Sequence, residues 1–187
     1  MLRKVNLPEL KNIHTIVFDF DGVFTNNKVW VDENGKETVR CDRSDGLGFD
    51  LLRNFIKHNK CSVEIFILSK EKNKVVSQRA KKLKIACHQG VSDKLKFLKQ
   101  LLSKRFPNNK NYFAGLIYLG NDLNDFSVMD CAGFAVAPSD AHSKIIEIAD
   151  IVYKERGGHG FVRAFIEDLL DIKKLSKEHI YELISYR

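Results

Sequence analysis

The stretch Ile16-Val17-Phe18-Asp19-Phe20-Asp21-Gly22-Val23-Phe24-Thr25 decides how this chain is read. Mostly apolar residues lead straight into two carboxylates spaced i, i+2, followed by a glycine. Such a run predicts a strand covered on both faces, as in a parallel sheet. Side chains two apart on a strand share a face, so Asp19 and Asp21 converge just past its carboxyl end. Open α/β sheets bind ligands at that edge. Two carboxylates so close repel each other, and a hard divalent cation between them relieves the repulsion. Gly22 lets the backbone turn away, and Thr25 offers a hydroxyl nearby. On these residues alone, a strand end with two solvated aspartates reads equally well.

Outward from this stretch, apolar strands alternate with amphipathic segments. Residues 28–42 read as a β-hairpin, with β-branched Val29, Val31 and Val39 and an Asn34-Gly35 turn. With its lead-in the flap spans about 26–42. Ser44 or Asp45 caps a helix carrying Leu47, Leu51, Leu52 and Phe55. Residues 63–68 form a second buried strand ending at Ser69, and a helix covers about 71–83. A short strand at 85–88 leads to Ser92-Asp93-Lys94, which opens another helix. Residues 116–119 form a strand closed by Gly120-Asn121-Asp122-Leu123-Asn124-Asp125. A helix at 124–132, a strand at 134–137, a helix near 141–148 and a strand at 151–153 follow. Then come Gly157-Gly158-His159-Gly160, a helix over 161–170 and a charged helical tail over 171–187. This alternation predicts one three-layer α/β domain over 1–187, with a mainly parallel sheet and right-handed crossovers.

Composition narrows the partners. The 187 residues carry 31 Lys and Arg against 24 Asp and Glu, a net charge of +7. The surplus lysine is spread over several helices. No aromatic-basic RNA motif or zinc finger accompanies it, so an anionic small substrate is expected rather than a nucleic acid. The four cysteines, at 41, 61, 87 and 131, have neither metal nor redox spacing. With no leader-like segment, reduced thiols and a cytoplasmic location are expected. No apolar run approaches the roughly 18 residues of a membrane span, so no membrane partner is expected.

Polar residues end three separate apolar strands: Asp19 and Asp21, then Ser69, then Asn121 to Asp125. Lys94 opens a helix between the second and third. With these in order, the chain resembles the haloacid dehalogenase superfamily of phosphotransferases. The first motif is Asp19-Phe20-Asp21-Gly22-Val23-Phe24-Thr25, the second Ser69, the third Lys94, the fourth Gly120 to Asp125. The match runs over about 13–170. More narrowly, residues 89–94, 137–142 and 157–160 are similar to a small capless branch. That branch includes octulosonate 8-phosphate and nonulosonate (sialic-acid-type) 9-phosphate phosphatases.

The resemblance implies a Mg²⁺-dependent phosphatase acting through an aspartyl-phosphate. Asp19 is the implied nucleophile and Asp21 the acid/base. Ser69 and Lys94 hold phosphoryl oxygens, and Thr25 lies on the substrate side. Asp19, the Asp21 carbonyl and Asn121 hold the metal, with Asp122 and Asp125 in support. The family usually has Asp where this chain has Asn121, so a weaker metal site is expected.

Two gaps that house cap domains in this superfamily are short here, so an open site is expected. A neighbouring subunit of a homotetramer closes it, as the resemblance implies, with the exposed hairpin or the tail at hand. Octulosonate phosphatases carry Gly-Arg after the second motif. This chain has Lys70-Glu71, and Glu71, Arg79 and Lys82 are similar to the nonulosonate branch. On one helix Glu71 and Lys82 would lie about 20° apart and Arg79 about 80° from Glu71. A nonulosonate 9-phosphate is therefore the expected substrate, in sialic-acid-type biosynthesis, with Arg79 on the sugar carboxylate. The alternatives are 3-deoxy-D-manno-octulosonate (Kdo) 8-phosphate and a non-catalytic oligomerisation module of an acylneuraminate cytidylyltransferase.

Overall fold

Residues 6–185 are described by a computed structural model of the chain. Residues 1–5, and residues 186–187 of the expected helical tail, lie outside the described residues. The chain runs β1 (Thr15–Phe18), β2 (Thr25–Val31), β3 (Glu37–Cys41), α1 (Ser44–His58), β4 (Glu64–Leu68) and α2 (Lys74–Leu83). It continues β5 (Ala86–His88), α3 (Lys94–Arg105), β6 (Leu116–Leu119), α4 (Phe126–Met129), β7 (Phe134–Ala137) and α5 (Ser143–Ile148). It closes with β8 (Ile151–Val152), α6 (Phe161–Leu169) and α7 (Lys177–Ser185).

Six strands form one parallel sheet in the order β5-β4-β1-β6-β7-β8. β1 sits between β4 and β6, where the chain switches from building one half of the sheet to building the other. That switch point is where a parallel sheet leaves a crevice at its carboxyl edge. All four residues of β1 are buried. Ile16 and Phe18 face a core shared with α1, α2, α6 and α7. Val17 faces the opposite core, with Leu98 and Leu102 of α3, Val128 of α4 and Ile145 of α5. The apolar run before Asp19 thus reflects burial on both faces, and the three-layer α/β expectation holds. The Phe18 ring lies 5.5 Å from those of Phe24 and Phe49 and 6.0 Å from that of Phe165. These contacts fix the strand end that presents Asp19.

Several boundaries differ from the sequence reading, each for a local reason. α2 begins at Lys74 rather than 71. The Glu71 carboxylate accepts the Lys72 and Asn73 N–H groups, and Asn73 Oδ1 caps the helix at Val75 N. Neither Ser44 nor Asp45 caps α1 through its side chain; the cap position is Arg43, and Asp42 Oδ1 accepts from Ser44. The hairpin turn is wider than Asn34-Gly35. Asp32 N donates to Lys36 O, and Asp32 Oδ1 accepts from Asn34 N and Lys36 N. α4 is only Phe126–Met129; its start waits for Asp125, whose side chain folds the preceding loop, as described below. In the tail, α7 packs Leu183 against α1, where Asn54 Nδ2 donates to Leu183 O at 2.6 Å.

At the opposite edge of the sheet, the His14 ring is held at both nitrogens. Nε2 donates to Tyr112 O at 2.9 Å, and Nδ1 pairs with the Thr15 hydroxyl at 2.8 Å. Burial pushes its pKa below the ordinary value of 6.5. The folded state rejects a proton that the unfolded chain accepts. Stability from this site is therefore complete above about pH 6.5 and lost as pH falls below it. Urea unfolding at pH 7.5 and 5.5 should show the loss, and it should shrink in His14→Gln. An equal loss in both proteins would contradict this assignment.

Candidate active site

The carboxyl edge of the sheet gathers side chains from β1, β4, α3 and β6. Asp19 follows β1 directly. Its N–H donates to Leu119 O at 2.9 Å, extending the ladder to β6, and its side chain is only 5% exposed. Lys94, the first residue of α3, reaches under it. Its Nζ lies 2.7 Å from Asp19 Oδ1 and 2.7 Å from Asp125 Oδ1. Asp125 is fully buried and every approach to it is taken. The Tyr118 hydroxyl donates to Oδ1 at 2.7 Å, and the Asn121 and Asp122 N–H groups donate to Oδ2. Asp125 thereby orients Lys94 and folds the 120–125 loop, which is why the loop does not continue as helix.

One ammonium between two buried carboxylates leaves the site short of positive charge. Burial pulls the Lys94 pKa down, but Asp19 and Asp125 outweigh it and hold the lysine above its ordinary value. Burial, and then the charge of Asp125, push Asp19 upward against the pull of Lys94. Asp21 is raised as well, by burial first and by Glu71 next. A further cation is what this cluster lacks.

The residues present fit a divalent one. Asn121 Oδ1 is buried and has no hydrogen-bond partner. Gly22, at φ +77°, turns so tightly over this side chain that a Cβ there would lie 2.0 Å from Asn121 Nδ2. Glycine is required here by both conformation and space. The Asp19 carboxylate, the Asp21 carbonyl and Asn121 Oδ1 supply hard oxygen donors of the kind Mg²⁺ takes. Among the described residues no three His, Cys, Asp or Glu side chains cluster as metal ligands. Such a cage therefore depends on an amide and a main-chain oxygen.

Ser69 follows β4 directly, buried, with its Oγ accepting the Glu71 N–H at 3.0 Å. Its own hydroxyl proton is left for an incoming acceptor. Two stretches matched earlier only by resemblance brace these loops. His142 N donates to Asn121 O at 2.8 Å, and Gly158 N donates to Val23 O at 3.1 Å. A Cβ on Gly157 would fall 1.9 Å from Gly22 O, so the second loop can approach the turn only with glycine there.

Other expected residues are placed differently. Thr25 is fully buried, and its Oγ1 accepts from Gly22 N and Asn27 N at 3.2 Å. It shapes the turn after Asp21 instead of facing substrate. Glu71, Arg79 and Lys82 do not share one helix face, because α2 starts after Glu71. Arg79 turns inward, donating through Nη2 to Asp42 O and lying 3.4 Å from the buried Asp45. Burial pushes Asp45 up to about 7 in spite of that arginine. Lys82 is exposed in the last turn of α2, about 12 Å along the axis from its start. Asp122 lines the site, with Oδ1 accepting from Leu123 N.

A cavity of about 370 Å³ opens above Asp19 and Asp21. Asn27, Lys70, Asn121, Asp122, Leu123 and Asn124 complete its lining. The sequence reading missed Asn27, Lys70, Leu123 and Asn124 as site residues. Only Asn27 carries a backbone signal, a left-handed φ of 58°. Between Asp21 and Ser69 the chain builds only the hairpin, α1 and β4, and between Ser69 and Lys94 only α2 and β5. Among the described residues no cap domain covers the cavity.

A buried aspartate, its lysine and a metal-type oxygen set on a parallel sheet, with no cap, define a haloacid dehalogenase-type hydrolase. No family model matches the chain. It is 33% identical over 165 residues to the 3-deoxy-D-manno-octulosonate 8-phosphate phosphatase KdsC of Salmonella typhi, covering 88% of this chain and 82% of that one. A solved HAD family hydrolase from Streptomyces avermitilis superimposes with a TM-score of 0.79 and 34% identity, over 92% of this chain and 94% of that one. A Moraxella catarrhalis 3-deoxy-D-manno-octulosonate 8-phosphate phosphatase, solved with magnesium, phosphate and KDO, gives 0.75 and 27%, over 87% and 88%. The chain belongs to the capless haloacid dehalogenase phosphatases of the KdsC type, and is a phosphoric monoester hydrolase.

Proposed function

We propose that the chain is a Mg²⁺-dependent phosphatase for a keto sugar acid phosphate, with a nonulosonate 9-phosphate as its preferred substrate. The phosphorylated sugar acid and the metal are supported by the relatives, whose names and contents are of that kind. The nine-carbon choice is carried by Glu71. Its N–H is tied to Ser69 Oγ, and its charge is felt at Asp21. Octulosonate phosphatases carry Arg at this position by the resemblance stated above. A carboxylate there suits sugar hydroxyls or an acyl amide N–H, which an arginine does not accept from.

In this reading Asp19 attacks phosphorus in line, and the bond to the sugar oxygen breaks. Asp21 gives its proton to that oxygen, then takes one from the water that opens the aspartyl-phosphate. Lys94 and the Ser69 hydroxyl hold phosphoryl oxygens while charge builds on them. Asp125 keeps Lys94 aimed. Mg²⁺ when bound neutralises carboxylate and phosphate charge and orients the two. The amide of Asn121 would hold it with less charge than a carboxylate brings.

Phosphate release from a nonulosonate 9-phosphate and from octulosonate 8-phosphate decides the substrate. A higher kcat/KM for the nine-carbon acid is expected, and Glu71→Ala should cut it about tenfold, mainly through KM. A higher kcat/KM for the eight-carbon acid would overturn the choice. A homotetramer whose neighbouring subunit closes the cavity is supported by the hairpin, where Val29, Trp30 and Val31 are 53%, 57% and 59% exposed. Sedimentation as a monomer at micromolar concentration would count against it.

A further inference from the structure

In that reading the transferred phosphoryl group has its side-chain partners in Lys94 and Ser69, but a sugar acid brings a second anion. Lys94 cannot serve it, because two of its N–H groups point at Asp19 and Asp125 and the third is the one that meets the phosphoryl group. Arg79 is not at hand in its own chain, because it does not line the cavity and its Nη2 is drawn to Asp42 O and Asp45. Among the described residues of this chain, the other charges lining the cavity are Asp19, Asp21 and Asp122, with Glu71 near Asp21. All of these repel a carboxylate.

Lys70 is the exception. It lines the cavity with Asp19 and Asp21, it is exposed, and among the described residues its ammonium has no ion pair or hydrogen bond. Its main chain is pinned from both sides. Ser69 N donates to His88 O at 2.9 Å, Val91 N to Ser69 O at 3.0 Å, and Gly90 N to Glu71 O at 2.9 Å. The backbone is therefore fixed while the four-carbon stem stays free to swing over the mouth.

Resting on the sugar-acid reading, we propose that Lys70 is the residue that binds the substrate's carboxylate, and so selects acids over neutral sugar phosphates. Lys70 meets the anion that is not transferred, at the open side of the cavity. Its binding energy is spent equally in the ground and transition states, so it acts through KM. A lysine suits this task because a mobile point charge tolerates more than one distance between phosphate and carboxylate.

The test compares two esters, the sugar acid phosphate turned over best and a neutral hexose 6-phosphate, with Lys70→Gln and Lys70→Arg. In Lys70→Gln the KM for the acid should rise about tenfold or more, with kcat within about twofold. The ratio of kcat/KM for acid over neutral ester should fall by the same factor, and Lys70→Arg should restore most of it. Equal losses on both esters would overturn the proposal, because Lys70 would then be serving the phosphoryl group. An unchanged ratio would overturn it as well. If the wild-type enzyme itself shows no preference for the acid, the sugar-acid reading fails first, and that outcome is distinct from either result with the variants.

Discussion

Asp19→Asn is expected to remove at least about 10⁴-fold of phosphatase activity while leaving the fold in place. The amide has nearly the shape of the carboxylate, so the strand end keeps its packing. It has lost the nucleophilic oxygen, and no other carboxylate can replace it. Asp21 lies beyond the turn, and both Asp125 oxygens are occupied by Lys94, Tyr118 and two main-chain N–H groups. Stability should change little or even rise, since burial and Asp125 oppose charge on Asp19. Phosphate release at saturating Mg²⁺, with a urea titration beside it, reads both effects. More than about a hundredth of wild-type activity would refute Asp19 as nucleophile.

Lys94→Met is the second large expectation, and it strikes both stability and catalysis. The lysine side chain is 1% exposed, and both of its partners are buried carboxylates. Removing one member of a buried ionic network strands the others, at a cost of about 3–5 kcal/mol. In addition Asp19 and Asp125 would repel each other without an intervening cation. The double variant Lys94→Met/Asp125→Asn should regain part of the stability, because one stranded charge is gone. It should regain none of the activity, since no ammonium then offsets the charge that builds on the phosphoryl oxygens. Chemical denaturation of the single and double variants tests the coupling, and additive losses would show that the two residues do not act as a pair.

These expectations rest on local pattern and on tertiary contact in different proportions. β1 and the edge on which Asp19 and Asp21 emerge were readable because a doubly buried strand needs an unbroken apolar run, and Ile16, Val17 and Phe18 provide it. β6 and β7 were readable for the same reason. Lys94 alone looks like any solvated lysine. It was found by its order between Ser69 and Asn121, while its 2.7 Å contacts depend on α3 lying across the end of β1. The Glu71, Arg79 and Lys82 face failed because a cap is a matter of individual hydrogen bonds. Periodicity did not reveal that Glu71 would take two main-chain N–H groups and delay the helix to Lys74.

The opening stretch and its three companions thus determined the fold class and the reactive edge, since strand burial and side-chain alternation are local rules, while the chemistry came from the family resemblance that their order carries. What surrounds the reactive atoms was decided only in three dimensions. Thr25 was turned into the loop, Arg79 was drawn to Asp45, and the Asn121 amide oxygen was left bare under Gly22. Lys70 was brought to the mouth of the cavity. Each of these depends on which segments of the chain meet across a distance in sequence, and hydrophobic period carries no record of that.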